Sequence, residues 1–461
     1  MKTQRPNVVY ILADDMGYGD FGIFGDGSAQ TPSLDRLVRE GCALSHCYSA
    51  SPVCAPARAS LLTGRYPHRT GAVDTYEAIG GDRLSLRETT LADVYRQYGY
   101  RTGLVGKWHL GLIGKEYHPC RRGFDTFIGF RGGWSDYYRY SLDRNGIQSP
   151  SDGAYLTHVI TEESVRFIRE NADRPFFLHV AYNAPHFPFQ CPETYAAPFR
   201  GRFPDTLAVL YGMIACMDEG IGKILDALDD CSLSDRTIVV FASDNGPQLY
   251  GETARYNCYL NGEKGLSYEG GIRVPAVIRW PGHLEPDSRC HSFFHGIDWF
   301  HTLLAACGLD LPQGVSIDGK NRLAELTSGS PFPQEDHFWQ WNRFTPVSKC
   351  NAAVRQGKWK LCWPPIPEAM EVPRPVIDLD ERIKTETVLP EFPFPFDDSG
   401  RFIPAPCRPS LFNLEDDPFE RHDLADDRPD LVRSMTAAFE KWFEDAEKDY
   451  RIAAKEKRPP V

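Results

Sequence analysis

Two short segments carry side chains that suit a bound metal ion. Asp14 and Asp15 directly follow one apolar run near the N-terminus, and Asp244 and Asn245 follow another. Carboxylate and amide oxygens are ligands for a hard cation, Ca²⁺ or Mg²⁺, rather than for zinc. Adjacent carboxylates repel one another unless a cation offsets them. The alternatives are a solvated turn at the first pair and a glycine-assisted Asx turn at the second.

A third segment places a thiol where a helix should begin. In the run SPVCAPARASLLTG, Pro56 suits the first helical turn and Gly64 suits a C-terminal stop. Cys54 then lies at the helix N-terminus, where free backbone N–H groups favour an anion. Arg58 returns to the same face one turn later. The alternative is a buried structural cysteine.

Further candidate residues lie in loops bounded by glycine or proline. Lys107 and His109 follow an apolar run, His186 stands between prolines, and Lys264 lies in the run GEKGLSYEGG. The prolines give the imidazole a stiff mounting, and its pKa near neutrality suits proton transfer. Taken singly, such residues are usually surface groups. Together with Arg58 they would surround one anion with cations and donors.

In this order along the chain, the segments resemble the motifs of type I sulfatases, the arylsulfatase-like enzymes of the alkaline phosphatase superfamily. The run from Cys54 matches their Cys-x-Pro-x-Arg activation signature, and the flanking LLTGR and Pro67 fit the longer pattern. The resemblance implies that a maturation enzyme oxidises Cys54 to Cα-formylglycine. It also implies one divalent cation, usually Ca²⁺ with Mg²⁺ possible, bound by Asp14, Asp15, Asp244, Asn245 and the formylglycine at position 54.

The resemblance assigns roles to the remaining side chains. Lys107 and Lys264 would contact the sulfate, and His109 would hydrogen-bond the formylglycine hydrate. His186 would bind sulfate and act as general acid for the leaving alcohol. One hydroxyl of the hydrate would attack sulfur with Asp244 as its base, and the second would lose its proton to His109 as sulfate leaves.

These features predict a sulfuric ester hydrolase whose substrate is a sulfated carbohydrate, with simple aryl sulfates turned over as well. Trp134, Ser135 and Asp136 lie in one polar and aromatic run that can stack on a sugar and hydrogen-bond its hydroxyls. Trp341 and Arg343, further along the chain, would close the pocket from the other side. The alternative for both segments is aromatic core packing.

Two rival functions fit part of the pattern. One is a formylglycine-dependent phosphodiesterase or phosphonate monoester hydrolase of the same superfamily. The other is a non-catalytic binder of sulfated glycans, which would have no need of the activation signature. Typical phosphatases of the superfamily hold two metals, and only His295 and Asp298 hint at a second set. We predict that this segment begins a packing helix instead.

The hydrophobic pattern predicts an α/β fold. Because apolar runs of strand length alternate with helical patterns, we expect a large mixed, mostly parallel sheet sandwiched by helices, of the alkaline phosphatase/sulfatase-like kind that the resemblance also implies. Ligands in such sheets bind at the carboxyl ends of the strands. The runs are 7–13, 102–105, 176–182, 237–242 and 274–279, and the helical patterns are 33–40, 91–98, 157–170 and 205–228.

The apolar runs become shorter and prolines more frequent after about residue 330. Short apolar runs predict a small antiparallel sheet followed by an amphipathic terminal helix at 429–450, and a proline-rich stretch at 364–409 predicts a surface excursion. The predicted domains are therefore a catalytic domain, 1–331, and a smaller α+β subdomain, 332–461. The short runs are 338–341, 352–355, 359–363 and 411–414.

The composition of the chain argues against some classes of binding partner. The chain has 461 residues and a net charge of −12 without a Lys/Arg stripe, which argues against a nucleic-acid partner. Its 13 scattered cysteines favour reduced thiols over a disulfide framework. We expect no membrane partner, since no spanning segment is visible. We expect a cytoplasmic location if Met1 is native, and a periplasmic or secreted one if a leader was trimmed.

Overall fold

Apolar runs of strand length become the buried strands of a central sheet in the computed structural model, which describes residues 5–385 and 389–456. The strands are β1 (Asn7–Ala13), β2 (Cys42–Leu44), β3 (Cys47–Tyr48), β4 (Arg101–Lys107), β5 (Thr126–Phe130), β6 (Ser141–Arg144), β7 (Ile147–Pro150), β8 (Phe176–Ala181), β9 (Thr237–Ser243), β10 (Ala276–Arg279), β11 (Ser288–Cys290), β12 (Phe294–His295), β13 (Asp336–Gln340), β14 (Ala352–Gln356), β15 (Trp359–Trp363) and β16 (Ser410–Asn413).

The helices pack against both faces of this sheet and against a smaller one. They are α1 (Pro32–Arg39), α2 (Cys54–Thr63), α3 (Pro67–Thr70), α4 (Leu91–Gln97), α5 (Leu156–Glu170), α6 (Glu193–Ala196), α7 (Asp205–Asp230), α8 (Glu269–Ile272), α9 (Asp298–Ala306), α10 (Leu323–Ser328), α11 (Pro367–Met370), α12 (Arg374–Thr385) and α13 (Pro429–Glu456). None of the described helices is long and apolar enough to cross a lipid bilayer.

The central sheet is mixed and mostly parallel, as the sequence predicts. Within the described residues it has ten strands in the order β11-β2-β10-β9-β1-β8-β4-β5-β6-β7. Strands β9, β1, β8, β4 and β5 are parallel neighbours. Strand β10, which the sequence placed among the parallel runs, is antiparallel to β9. Because Ala276, at the start of β10, pairs with Ala242, near the end of β9, the connection stays at one end of the sheet and no crossover to the other end is made.

Strand β1 lies at the centre and is buried on both faces. Its alternate residues Val9 and Ile11 join one apolar core with helices α1, α5 and α7, whereas Val8 and Tyr10 join another core with α2, α4 and α9. This alternation follows from the two-residue period of a strand. A strand covered on both faces reads in sequence as the continuous apolar run that was observed.

The C-terminal part forms the predicted antiparallel sheet. In the described chain it has four strands in the order β13-β14-β15-β16, and α13 packs on it through Phe439 and Trp442. Gly357 makes the β14–β15 turn with a positive φ of 58°. Apolar residues from before residue 331, such as Tyr66 and Ile297, belong to the same cluster as α13. The domain division at 331 stays a prediction.

The proline-rich stretch 364–409 is not only a surface excursion. It contains helices α11 and α12, and residues 386–388 lie outside the described part. Ile383 is buried with Ala78 and Leu112 of the large domain, and Asp380 Oδ1 accepts the Ala78 N–H at 2.8 Å. Pro367 stands in the first turn of α11, where a proline is tolerated. A high proline content therefore did not exclude helices here.

A buried ionic cluster joins the C-terminal sheet to helix α8 and strand β3. Lys360 of β15 lies 2.9 Å from Glu269 Oε1 and 2.8 Å from Glu420 Oε1, and all three side chains are buried. Tyr48 OH donates to Glu269 Oε2 at 2.6 Å. Glu269 begins α8, directly after the loop that carries Lys264. Lys360 therefore anchors that loop to the C-terminal sheet.

Replacing Lys360 tests this cluster. We expect Lys360→Met to lower the free energy of unfolding by about 3–5 kcal/mol, because two buried carboxylates lose their cation. Urea unfolding followed by circular dichroism measures the change. The matched control is Lys358→Met, since Lys358 is 41% exposed and 3.6 Å from Glu415. A Lys360→Met protein as stable as the control would contradict the inference.

Candidate active site

The side chains singled out in the sequence meet at the carboxyl ends of the central parallel strands. Parallel neighbours end at the same edge of a sheet, so residues that follow them converge. The connection between β9 and β10 returns over this edge and brings Lys264 with it. The converging residues are Asp14 and Asp15 after β1, Lys107 at the end of β4, His186 after β8, and Asp244 and Asn245 after β9.

Helix α2 begins at Cys54, as the sequence predicts, and ends before Gly64, which has a φ of 68°. The Cys54 thiol is buried, with 2% exposed, and donates to Asp14 Oδ1 at 3.4 Å. One turn later, Arg58 Nε donates to Asp244 Oδ2 at 2.9 Å. Its Nη2 lies 2.7 Å from the same oxygen and 3.5 Å from Asp14 Oδ1. The helix start thus brings the Cys54 thiol and the Arg58 guanidinium to one point.

Each of the adjacent carboxylates pairs with one lysine. Lys107 Nζ donates to Asp14 Oδ2 at 2.6 Å, and Lys264 Nζ donates to Asp15 Oδ2 at 2.6 Å. Asp15 has a φ of 64°, a strained conformation for a residue other than glycine and one that is common at functional sites. With Asp244 paired to Arg58, three carboxylates face three permanent cations, and their formal charges cancel.

The electrostatics of the cluster move several pKa values. Burial alone would raise the pKa of Asp15, but the charge of Lys264 holds it below its ordinary range. Burial raises the pKa of Asp244 to about 6, against the opposing charge of Arg58. Burial, followed by the charge of Lys264, lowers the pKa of His186 to about 3. The His186 imidazole is therefore neutral at neutral pH.

The hydrogen bonds of His186 determine which of its ring nitrogens carries the proton. Its Nδ1 lies 2.7 Å from the Phe187 carbonyl oxygen, which can only accept, so Nδ1 carries the proton. Its Nε2 lies 3.6 Å from Asp15 Oδ2 and carries the lone pair. In this state His186 presents an acceptor to the site. The role of general acid, which needs a proton on Nε2, stays a prediction.

A buried group of ligand atoms could hold a metal ion. Asp14, Asp15, Cys54 and His186 each offer one atom, and these atoms lie within 4.8 Å of one another. Asn245 Nδ2 donates to Asp15 Oδ1 at 2.7 Å, whereas its buried Oδ1 has no hydrogen-bond partner among the described residues. The group contains most of the ligands predicted from the sequence. It differs from the predicted set by including His186. It also lacks Asp244, whose two carboxylate oxygens are hydrogen-bonded to Arg58 and to the Asp15 N–H.

His109 lies in a pocket whose other members the sequence did not reveal. The ring is 2% exposed, and Nε2 lies 3.2 Å from the Thr75 carbonyl and 3.7 Å from Glu77 Oε1. Its Nδ1 is buried without a partner in the described chain. A Cβ atom on Gly133 would stand 2.6 Å from His109 Nε2. Only the Gly132-Gly133 pair gave a sequence signal, since paired glycines mark close backbone approaches.

The predicted substrate residues near 135 lie at the rim. The Trp134 ring is 6.0 Å from Phe187, which stacks on His186 at 4.5 Å. Asp136 is engaged locally, since its carboxylate accepts the N–H groups of residues 138 and 139 and the amide of Gln190. Ser135 Oγ donates to the Asp136 carbonyl oxygen at 3.2 Å. Trp134 is therefore the member of this run that can face a sugar, while Asp136 stabilises the turn.

Trp341 and Arg343 lie on the other side. The Trp341 ring is buried and would be 3.5 Å from a Cβ on Gly265, next to Lys264. Arg343 Nη1 donates to Asp74 Oδ1 at 2.8 Å, and its guanidinium lies 4.8 Å from the Trp341 ring centre. These residues pack against the site and hold its loops together.

A cleft of about 920 Å³ opens beside the rim. Trp341 and Arg343 are not among its lining residues. It runs between the 130–153 segment and the end of α12, and it combines aromatic rings with cationic groups. Its walls include Arg131, Gly132, Trp134, Ser135, Asp136, Tyr138, Arg139, Tyr140, Ile383 and Lys384.

The segment with His295 and Asp298 begins a packing helix, as predicted. Asp298 is the first residue of α9, and its carboxylate pairs with Arg322 Nε at 3.1 Å and accepts the Lys320 N–H at 2.8 Å. Across residues 5–385 and 389–456, no second group of three or more His, Cys, Asp or Glu ligand atoms is found.

Family models match most of the chain. Residues 6–309 match the Sulfatase model, and residues 260–364 match the model of the N-sulphoglucosamine sulphohydrolase C-terminal region. The chain belongs to the sulfatase family. Sulfatases are sulfuric ester hydrolases, so the chain is an enzyme of that class, and the resemblance read from the motifs is confirmed.

Individual relatives agree with this assignment. N-acetylgalactosamine-6-sulfatase of Homo sapiens is 33% identical over 393 residues, which cover 73% of this chain and 72% of the relative. Arylsulfatase J of Mus musculus is 30% identical, with 94% of this chain and 75% of the relative covered. A solved structure of Ps i-CgsB in complex with k-i-k-neocarrahexaose has a TM-score of 0.82 at 28% identity, covering 98% of both chains.

The contact between Gly133 and His109 yields a prediction for this sulfatase. We expect Gly133→Ala to lower kcat for an aryl sulfate about 100-fold, because the new Cβ displaces the imidazole, and an ångström of misplacement costs that much. Gly132→Ala is the matched control, since its Cβ would meet Glu77 Oε1 at an ordinary 3.5 Å. Equal activity of the two variants would show that the close approach does not matter.

Proposed function

We propose that this sulfatase hydrolyses the sulfate ester of a sulfated carbohydrate, using a Cα-formylglycine made from Cys54 and one bound divalent cation. The observation that carries the proposal is the position of Cys54. Its sulfur lies at the start of a helix, 3.4 Å from Asp14 Oδ1, among buried cations that include Arg58 and Lys107. A structural cysteine has no need of this environment.

The donor set fits a hard divalent cation. Asp14, Asp15 and Asn245 supply oxygen ligands beside position 54, and the Asn245 oxygen has no hydrogen-bond partner in the described residues. The charge balance agrees with this ligand, because a divalent cation and the sulfate dianion that hydrolysis releases add no net charge to the neutral cluster. When bound, the cation polarises the nucleophile and a sulfate oxygen.

The formylglycine supplies, as its hydrate, a pair of geminal hydroxyls, one to attack sulfur and one to allow release of sulfate. Arg58, Lys107 and Lys264 hold the sulfate oxygens and stabilise the charge that develops on them. Asp244 takes the proton of the attacking hydroxyl. Once the sulfate group is bound, its negative charge favours uptake of a proton on His186 Nε2, and His186 then hydrogen-bonds a sulfate oxygen and passes this proton to the leaving alcohol. His109 receives the proton of the second hydroxyl on Nδ1, which has no hydrogen-bond partner among the described residues.

The cleft beside the rim supports a carbohydrate as the substrate. Trp134, Tyr138 and Tyr140 offer flat faces for sugar rings, and Arg139 offers a cation for further sulfate groups. One relative is named for a 6-sulfate of N-acetylgalactosamine, and the solved structure of Ps i-CgsB holds a neocarrahexaose. Aryl sulfates carry the same scissile group and serve as assay substrates.

The mass of the tryptic peptide 40–58 tests the nucleophile. In protein coexpressed with a maturation enzyme, we expect the mass of the aldehyde at position 54, which a hydrazide traps. That protein should hydrolyse a sulfate ester much faster than the phosphate ester of the same alcohol. Cys54→Ser should release at most a single equivalent of alcohol, because a serine adduct has no second hydroxyl with which to expel sulfate.

Each rival function predicts a different result. Faster hydrolysis of the phosphate or phosphonate ester would favour the superfamily relatives with that chemistry. Binding of sulfated glycans without turnover, in protein that carries the aldehyde, would favour a binding protein. Multiple turnovers by Cys54→Ser would refute the proposed nucleophile.

Calcium should stabilise the fold through Asp15. A ligand at 100 times its dissociation constant adds about 2.7 kcal/mol to the free energy of unfolding, so the melting temperature should rise in Ca²⁺ relative to EDTA. We expect Asp15→Asn to lose most of this difference. Asp26→Asn is the control, because Asp26 is exposed and accepts only the Ser28 N–H in a local turn. The same calcium shift in all proteins would contradict the site.

Trp134 should matter for sugars and not for small aryl sulfates. We expect Trp134→Ala to lower kcat/KM for a sulfated oligosaccharide about tenfold, equivalent to ~1.4 kcal/mol of lost stacking. Activity towards an aryl sulfate should change less than about twofold, since that substrate does not reach the cleft. Phe402→Ala, at a ring that is 82% exposed, is the control. An equal loss on both substrates would mean that Trp134 only supports the fold.

A further inference from the structure

His109 is held by acceptors on one side of its ring. Its Nε2 faces the Thr75 carbonyl oxygen at 3.2 Å and Glu77 Oε1 at 3.7 Å. A carbonyl oxygen and a carboxylate only accept, so the proton of the neutral ring lies on Nε2. The lone pair then lies on Nδ1, the buried nitrogen that has no partner in the described part of the chain.

Glu77 is itself held by partners at both of its oxygens. Its side chain is fully buried, and Oε1 accepts the Gly133 N–H at 2.6 Å. This hydrogen bond holds the Gly133 backbone against the His109 ring. On its other side, Glu77 Oε2 lies 2.8 Å from Lys384 Nζ. The carboxylate therefore places a negative charge near the imidazole and also holds the Gly133 backbone against the ring.

Lys384 reaches this carboxylate from the C-terminal part of the chain. It lies near the end of α12, and its Nζ also donates to Asp380 Oδ2 at 2.6 Å, one helical turn earlier. Burial raises the pKa of Glu77, and the charge of Lys384 opposes that rise. Both Glu77 oxygens face donors, the Gly133 N–H and the Lys384 ammonium, so the geometry favours the charged carboxylate as long as Lys384 is present.

We propose that Glu77 is a positioning residue for His109, and that Lys384 acts on the catalytic centre through Glu77. The charged carboxylate favours the Nε2–H form of the ring and stabilises the imidazolium that arises when Nδ1 accepts a proton. The arrangement is an orienting acid behind a catalytic histidine, supplied here by a loop and secured by a helix of the C-terminal part. The catalytic consequence rests on the proposed function, whereas the effect on the ring does not.

The first test observes the ring itself and needs no formylglycine. Histidine ¹⁵N NMR of the full chain, with His109→Gln to identify the signal, should show a single Nε2–H form. In Glu77→Gln and Lys384→Met this form should lose population or broaden. Lys384→Arg should restore it, because the charge is kept. Unchanged His109 signals in Glu77→Gln and Lys384→Met would overturn the proposal.

The second test measures turnover of an aryl sulfate by the matured enzymes. We expect kcat to fall about tenfold or more in Glu77→Gln and Lys384→Met, a part of the 10²–10⁴-fold that general acid–base catalysis provides. KM should change less than about twofold, and Lys384→Arg should recover most of kcat. Arg374→Met is the control, since Arg374 lies on the same helix, is 77% exposed and pairs with Asp378.

The outcomes separate this proposal from the proposed function. A matured wild-type protein without sulfate-ester activity would refute the proposed function, while the NMR result would still decide the role of Glu77. A loss of kcat that Lys384→Arg shares, together with a lower melting temperature in all three variants, would show a merely structural cluster and overturn the proposal.

Discussion

Three buried carboxylates at one edge of the sheet, Asp14, Asp15 and Asp244, can remain charged only if cations lie beside them. Arg58, Lys107 and Lys264 come from different elements to meet this requirement, at distances of 2.6–2.9 Å. Helix α2, the end of β4 and the loop after β9 must therefore be in place together. Folding of these elements and formation of the charge cluster therefore depend on each other.

The same charge balance explains how one cluster can serve both stability and chemistry. Without substrate or metal, the cations and carboxylates neutralise one another. In the proposed function, a sulfate group would compete for the cations while a divalent cation would compete for the carboxylates, so most of the charge brought into the buried site would be compensated. Preorganised cations of this kind need little rearrangement as charge develops on the substrate.

The C-terminal part contributes to the centre without supplying the proposed nucleophile or metal ligands. Lys360 of the small sheet anchors Glu269, at the end of the loop that carries Lys264. Lys384 of α12 lies against Glu77 behind His109. The large sheet alone provides the strand ends, but the loops above them depend on the smaller part for their positions. Many hydrolases share one fold, and here the C-terminal sheet and α12, which pack on the large domain, give the pocket its particular shape.

The sequence by itself determined the central strands, the start of α2 at Cys54 and the residues that converge on the strand ends. These features depend on apolar runs, helix caps and short motifs. Such signals are local, so they can be recognised from the sequence alone. Only the tertiary structure decided the reversal of β10, the helices within the proline-rich stretch and the pairing of Glu77 with Lys384. The contacts of α12, Ile383 with Ala78 and Lys384 with Glu77, join residues hundreds of positions apart, and they form because burial leaves a charge or an apolar face that must find a partner.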